Sequence, residues 1–201
     1  FRAPLAGALF GAEVLYRKLD LEYEAIVPSV VSSIIAYAIF AVKFGWEPLF
    51  ANPGFVFKNP LELGPYLMLA LLLAAGAVVY VRVFYAMRNF FRKLRLVPAL
   101  KPFLGGLGVG VIALVLPQAI GTGYGFCQKA IYGEPAAGLL LAVGAVKILT
   151  TSLTIGSGGS GGVFGPAVVI GASLGGGAGK LLAGIFPALE LQPGAFALVG
   201  M

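Results

Sequence analysis

The residues best placed to do chemistry form one run: Gly156-Ser157-Gly158-Gly159-Ser160-Gly161-Gly162-Val163-Phe164-Gly165-Pro166. Glycine admits backbone conformations in which consecutive N–H groups converge on one point. A helix starting at Val163 leaves its first amides without intrahelical partners, and its dipole places partial positive charge there. Pro166 suits the first turn, where a missing N–H costs nothing. The chemistry these features support is an anion-binding site at Gly162, Val163, Phe164, Gly165 and Pro166, in which Pro166 shapes the turn and the others offer amides, with Ser157, Gly158 and Gly161 as the supporting loop. No Lys or Arg stands between Lys147 and Lys180. Amides and hydroxyls, rather than full charges, are therefore expected to hold the anion. Weak binding of that kind suits an ion that must also leave. The same run serves equally as a glycine-rich turn that packs helices and binds nothing.

Three rival motifs fall away, or nearly so. Gly156-x-Gly158-x-x-Gly161 matches the dinucleotide fingerprint in form, but no soluble βαβ pattern flanks it and no acid follows before Glu190. Gly179-Lys180 lacks a phosphate loop's first glycine, since Leu174 stands there, and Leu181 replaces the needed Ser or Thr. Gly121-Thr122-Gly123-Tyr124-Gly125 is like a potassium-channel filter, with Gly121 in the usual threonine place and Phe126 in the acidic one. It remains a distant alternative. The chain has no histidine and a single cysteine, Cys127, so it can form no thiolate zinc site, no intrachain disulfide and no histidine base. With few carboxylates besides, no catalytic constellation assembles, and neither a metal nor a cofactor is expected.

The elements that must position the glycine run belong to a membrane. Of 201 residues, 59% are hydrophobic and 11% charged, against about 25% charged in ordinary globular proteins. Mean hydropathy is +0.97, so lipid is the natural solvent for most of the surface. The +6 charge lies at the ends of apolar segments rather than in a stripe, which argues against nucleic acid.

Helices are expected from Pro4 to about Arg17, Pro28 to Phe44, Pro65 to Leu94, Pro102 to Ile120, Pro135 to about Thr154, about Val163 to Phe186, and onward from Pro193. Gly106-xxx-Gly110 is a candidate for close helix packing. Residues 45–64 read as a loop and 121–133 as a broken region. Arg17 and Lys18 flank one loop, and Arg88, Arg92, Lys93, Arg95 and Lys101 another. The positive-inside rule makes both cytoplasmic and 45–64 external. Broken helices at membrane depth are expensive unless buried or lining a cavity, and in transporters they mark the substrate site. The start at Phe1-Arg2-Ala3-Pro4, without methionine, and the stop at Gly200-Met201 inside an apolar stretch read as a piece cut at both ends.

Gly162-Val163-Phe164-Gly165-Pro166 resembles the G-x-F-x-P signature of the CLC family of chloride channels and chloride/proton exchangers. Lys147-Ile-Leu-Thr-Thr before it, Gly171 to Gly179 after it, and Ala195-Phe-Ala-Leu-Val-Gly-Met201 agree. Phe1-Arg-Ala-Pro-Leu-Ala-Gly-Ala-Leu-Phe10 resembles the family's F-N-x-P-L-A-G segment.

The resemblance implies an all-α, multi-pass membrane bundle of inverted repeats. Residues 1–44 would close the first repeat, 45–64 would be the external loop, and 65–201 would be the first half of the second repeat. It implies voltage-gated or passive chloride transport by a homodimer, in the plasma (inner) membrane if the source is prokaryotic. Lipid and chloride would be the partners. The amides of Val163 and Phe164 would contact the central anion, with the Phe164 ring beside the path. Helices within Pro4–Glu13 and Pro28–Phe44 would serve the dimer interface. Exchangers commonly carry two adjacent inner glutamates, whereas this chain has Glu13-Val14. Valine carries no proton, which favours passive conduction over chloride/proton exchange as the alternative. Glu13, at a helix end near Arg17 and Lys18, reads as a structural carboxylate before a relay.

Overall fold

A computed structural model of the chain describes residues 2–13 and 23–201, all helix, turn and loop. They form two compact units, residues 1–51 and 52–201. The boundary falls inside the segment 45–64.

In the first unit, α1 (Pro4–Glu13) packs on α2 (Tyr23–Phe44). Ala8, Ala12 and Ala41 are buried. The Ser33 hydroxyl donates to the Pro4 carbonyl at 2.7 Å. At the far end, the Arg2 guanidinium donates to the carbonyls of Phe44, Gly45 and Glu47 and lies 5.4 Å from the Phe40 ring centroid. A cation on the last carbonyls is what a helix C-terminus favours. Helix α2 starts five residues earlier than expected. Pro28 lies within it, where it deprives only one carbonyl of an early turn of its partner.

The second unit holds α3 (Leu63–Lys93), α4 (Leu100–Val115), α5 (Tyr124–Ile131), α6 (Ala137–Gly156), α7 (Phe164–Ile185) and α8 (Pro193–Gly200). The loop before α3 ends in a capping box: the Asn59 side chain accepts from Leu61, and the Glu62 carboxylate accepts from the amides of Lys58 and Asn59, both at 3.1 Å. Helix α4 stops at Val115 rather than near Ile120, because Pro117 cannot continue it. The expected broken region contains α5, which starts after Gly123 in the left-handed region at φ 73°.

Among the described residues, four helices are long and apolar enough to cross a membrane. Their burial differs sharply: 6% of the most apolar window of α2 and of α3 is buried, against 44% in α6 and 67% in α7. The core of the second unit is therefore α6 and α7, with α3 packed on them and mostly exposed. Glycine makes this packing close. A Cβ on Gly171 would overlap the Gly200 carbonyl of α8, and one on Gly179 would stand 2.7 Å from the Phe196 Cβ. Phe196 is fully buried and stacks on Tyr66 of α3 at 4.4 Å. On α4 the packing glycines are not Gly106 and Gly110, which face open space. Gly105 and Gly108 take that part, Gly105 against Leu153 and Ser157 of α6. Close packing on α4 therefore uses another face of the helix and a spacing of three residues rather than four.

Candidate functional site

Helix α6 ends abruptly, and the way it ends creates the site. The Gly158 amide donates to the Ile155 carbonyl and the Gly159 amide to the Thr154 carbonyl, both at 3.0 Å. This is a Schellman closure, with Gly158 at φ 97° in the left-handed position that glycine alone takes cheaply. A Cβ on Gly159 would stand 2.6 Å from the Thr154 oxygen. Ser157 is 4% exposed, and its hydroxyl donates back to Thr154 at 3.0 Å. It fastens the helix end rather than facing a ligand.

Helix α7 then begins. Val163 is the N-cap without a side-chain cap, and the Ala167 amide donates to the Val163 carbonyl at 3.1 Å. The amides of the first turn precede that bond and point out of the helix end. No acidic residue stands in that turn, so nothing there offsets its partial positive charge. Gly161, Gly162, Gly165 and Pro166 form one wall of a cavity of about 420 Å³. Val163 and Phe164, both half exposed, are not among the residues that line it. The Tyr124 hydroxyl lies against Gly165, where a Cβ would be 2.9 Å away.

The opposite wall comes from α6: Lys147, Thr150, Thr151 and Thr154. The corner before α5 closes the cavity with Ala119, Gly121 and Thr122. Lys147 is 3% exposed, and its Nζ donates to the carbonyls of Ala119 at 3.2 Å and Gly121 at 2.6 Å. The Thr150 hydroxyl reaches Ala119 at 3.1 Å and the Lys147 carbonyl at 3.2 Å, and Thr154 donates to Thr150 at 2.8 Å. Thr151 makes no hydrogen bond through its side chain among the described residues. The expectation of a site free of full charges is thus corrected. The turn at 157–163 folds the glycine run back beside α6, so Lys147 shares its cavity.

A family model described as "Voltage gated chloride channel" matches residues 1–201. The chain belongs to the CLC family. Over its whole length it is 33% identical to the chloride channel protein CLC-f of Arabidopsis thaliana, covering 28% of that protein. It is 32% identical to the H(+)/Cl(-) exchange transporter ClcA of Yersinia pestis bv. Antiqua (strain Angola), covering 43% of it. A solved CLC-type fluoride/proton antiporter has the same fold, with a TM-score of 0.76 at 20% identity; all of this chain aligns with 48% of that one. The chain therefore spans less than half the length of these relatives. Membership of the CLC family and the apolar helices make it part of an integral membrane protein, as its composition implied.

Of the remaining expected residues, Glu13 is exposed at the end of α1, and Val14 lies outside the described residues. The potassium-filter reading of Gly121 to Gly125 does not survive. Tyr124 and Gly125 form the first turn of α5, so no extended row of carbonyls exists there, and the Gly121 carbonyl already accepts from an ammonium. Lys147 and Thr151 were not proposed from sequence as site residues. Their signal was there: Lys147, Thr150, Thr151 and Thr154 fall at i, i+3, i+4 and i+7, one polar face on a mostly apolar helix.

Proposed function

We propose that this chain supplies one wall of the anion pathway in a CLC-type chloride transport protein. The observation that carries the reading is the acid-free N-terminus of α7, which opens through Gly162 and Gly165 on a cavity without a carboxylate among its lining residues. Oriented amides in a water-poor site stabilise an anion without binding it too tightly to leave. The amides of Val163 and Phe164 are the donors in this reading, with Gly162, Gly165 and Pro166 shaping the approach. The other walls belong to the part of the relatives' length that this chain does not span.

Val14 in place of an inner proton-carrying carboxylate favours passive, gated conduction. Chloride/proton exchange is the second reading, favoured by the 32% identity to an exchange transporter. The functional unit is a homodimer, with the exposed apolar faces of α1 and α2 toward the partner or lipid, and the protein sits in the plasma (inner) membrane if its source is prokaryotic. The test is chloride flux from liposomes containing the full-length protein, with the reversal potential measured under combined chloride and proton gradients. A reversal potential that follows chloride alone supports passive conduction. A dependence on the proton gradient selects exchange, and absence of chloride flux refutes both.

A further inference from the structure

Among the described residues, Lys147 is a buried cation without a counter-ion. Its ammonium has three N–H donors, and two carbonyls, Ala119 and Gly121, account for two of them. The one ion pair among the described residues joins Lys58 to Glu190, and no carboxylate accompanies Lys147. Removing a charge from water is costly, and carbonyl dipoles offset only part of that cost. A neutral donor would hold the same two carbonyls with a smaller desolvation penalty. Thr150 already fastens Ala119 to α6 without any charge. Fastening the corner therefore does not account for the charge itself, whereas the cavity beyond it does. Lys147 faces the same 420 Å³ space as Gly162, Gly165 and Thr151.

We propose that Lys147 is the fixed counter-charge of this cavity and a specificity-determining residue. Its ammonium, held in place by the Ala119 and Gly121 carbonyls, raises affinity for a monovalent anion and rejects cations. The α7 amides supply the directional contacts, and Lys147 supplies the field. The inference rests on the anion-pathway reading of the cavity.

The cavity is roughly 9 Å across for its volume, and at an effective dielectric of about 20 one unit charge over that distance changes anion affinity by about 20-fold. The experiment compares the full-length protein with Lys147→Gln, Lys147→Met and Lys147→Arg, each in detergent and in liposomes. Chloride binding is read by calorimetry, and the chloride-to-potassium permeability ratio by reversal potential. Gln and Met are expected to weaken chloride binding by about 20-fold and to lower the permeability ratio, while Arg keeps both near the wild-type values. Folding is followed by size-exclusion profile. Gln retains an N–H donor for the two carbonyls, so it carries the test if Met fails to fold. Folded Gln or Met variants with wild-type affinity and selectivity would overturn the proposal and leave Lys147 as a fastener. A wild-type protein that neither binds nor moves chloride would instead overturn the underlying reading.

Discussion

Replacing Thr151 with valine separates the binding role of the cavity wall from its structural role. Thr151 is 5% exposed and lines the cavity, yet its hydroxyl makes no hydrogen bond among the described residues. Valine has nearly the same shape, so Thr151→Val orphans no protein group and leaves no void. Stability should hold or rise slightly, because an unpaired hydroxyl is removed from an apolar surrounding. Binding should respond differently. A hydrogen bond to a charged partner is worth about 1.5–3 kcal/mol, which corresponds to a chloride affinity about 10- to 150-fold weaker if Thr151 donates to the ion. Thr150→Val is the matched control, since its hydroxyl is committed to the Ala119 carbonyl at 3.1 Å. That change should cost about 1 kcal/mol of stability with a smaller effect on affinity. Calorimetric chloride titration and thermal unfolding of the two full-length variants read both quantities. If the folded Thr151→Val protein keeps the wild-type chloride affinity, the assignment of that hydroxyl to the anion is wrong.

Other consequences are independent of that one. Gly165→Ala places a Cβ 2.9 Å from the Tyr124 hydroxyl and should cost about 1–3 kcal/mol by overpacking; adding Tyr124→Phe should recover part of it in a double-mutant cycle read by thermal unfolding. Gly105→Ala drives a Cβ to 2.7 Å from the Leu153 carbonyl oxygen and should lower the unfolding temperature by a similar mechanism, whereas Gly106→Ala, facing open space, should leave it unchanged or raise it. The exposed Lys58–Glu190 pair at 2.8 Å holds the Glu190 carboxyl below its usual 4.5 and the Lys58 ammonium above its usual 10.5, each mainly through their shared hydrogen bond. Its contribution is therefore complete between those ordinary values. It is lost as pH falls through the lowered Glu190 value or rises through the raised Lys58 value, and hydrogen exchange of the 52–59 segment across pH should show that window, weakened by salt.

Much of the fold was legible in the sequence, because apolar run length and proline punctuation are strong signals in a membrane chain. The largely apolar runs around residues 28–44, 65–94 and 135–154 are all helices, and the glycine run does break the chain between α6 and α7. Helix ends were less legible where one residue type permits two outcomes. Pro28 opens many helices, yet here it sits inside α2, while Pro117 did stop α4. Residues 121–133 looked broken because two glycines precede a helix of only eight residues.

The site was half legible. Gly162, Gly165 and Pro166 announce themselves by local spacing, since amides at a helix start need no distant partner. Lys147 did not, because its importance depends on α6 and α7 lying side by side. Linear distance along the chain suggested that no cation was near, and only the tight Schellman turn at Gly158 brings one there. Gly105 was missed for the same reason. Which of several glycines packs a neighbour depends on the rotation of α4, and spacing alone leaves that open.

The proposed function requires an anion at the N-terminus of α7 within reach of Lys147. Anomalous diffraction from crystals of the full-length protein grown with bromide in place of chloride tests it most directly. A bromide peak is expected in the cavity bounded by Gly162, Gly165, Thr151 and Lys147. Bromide peaks elsewhere in the protein with none in that cavity would contradict it.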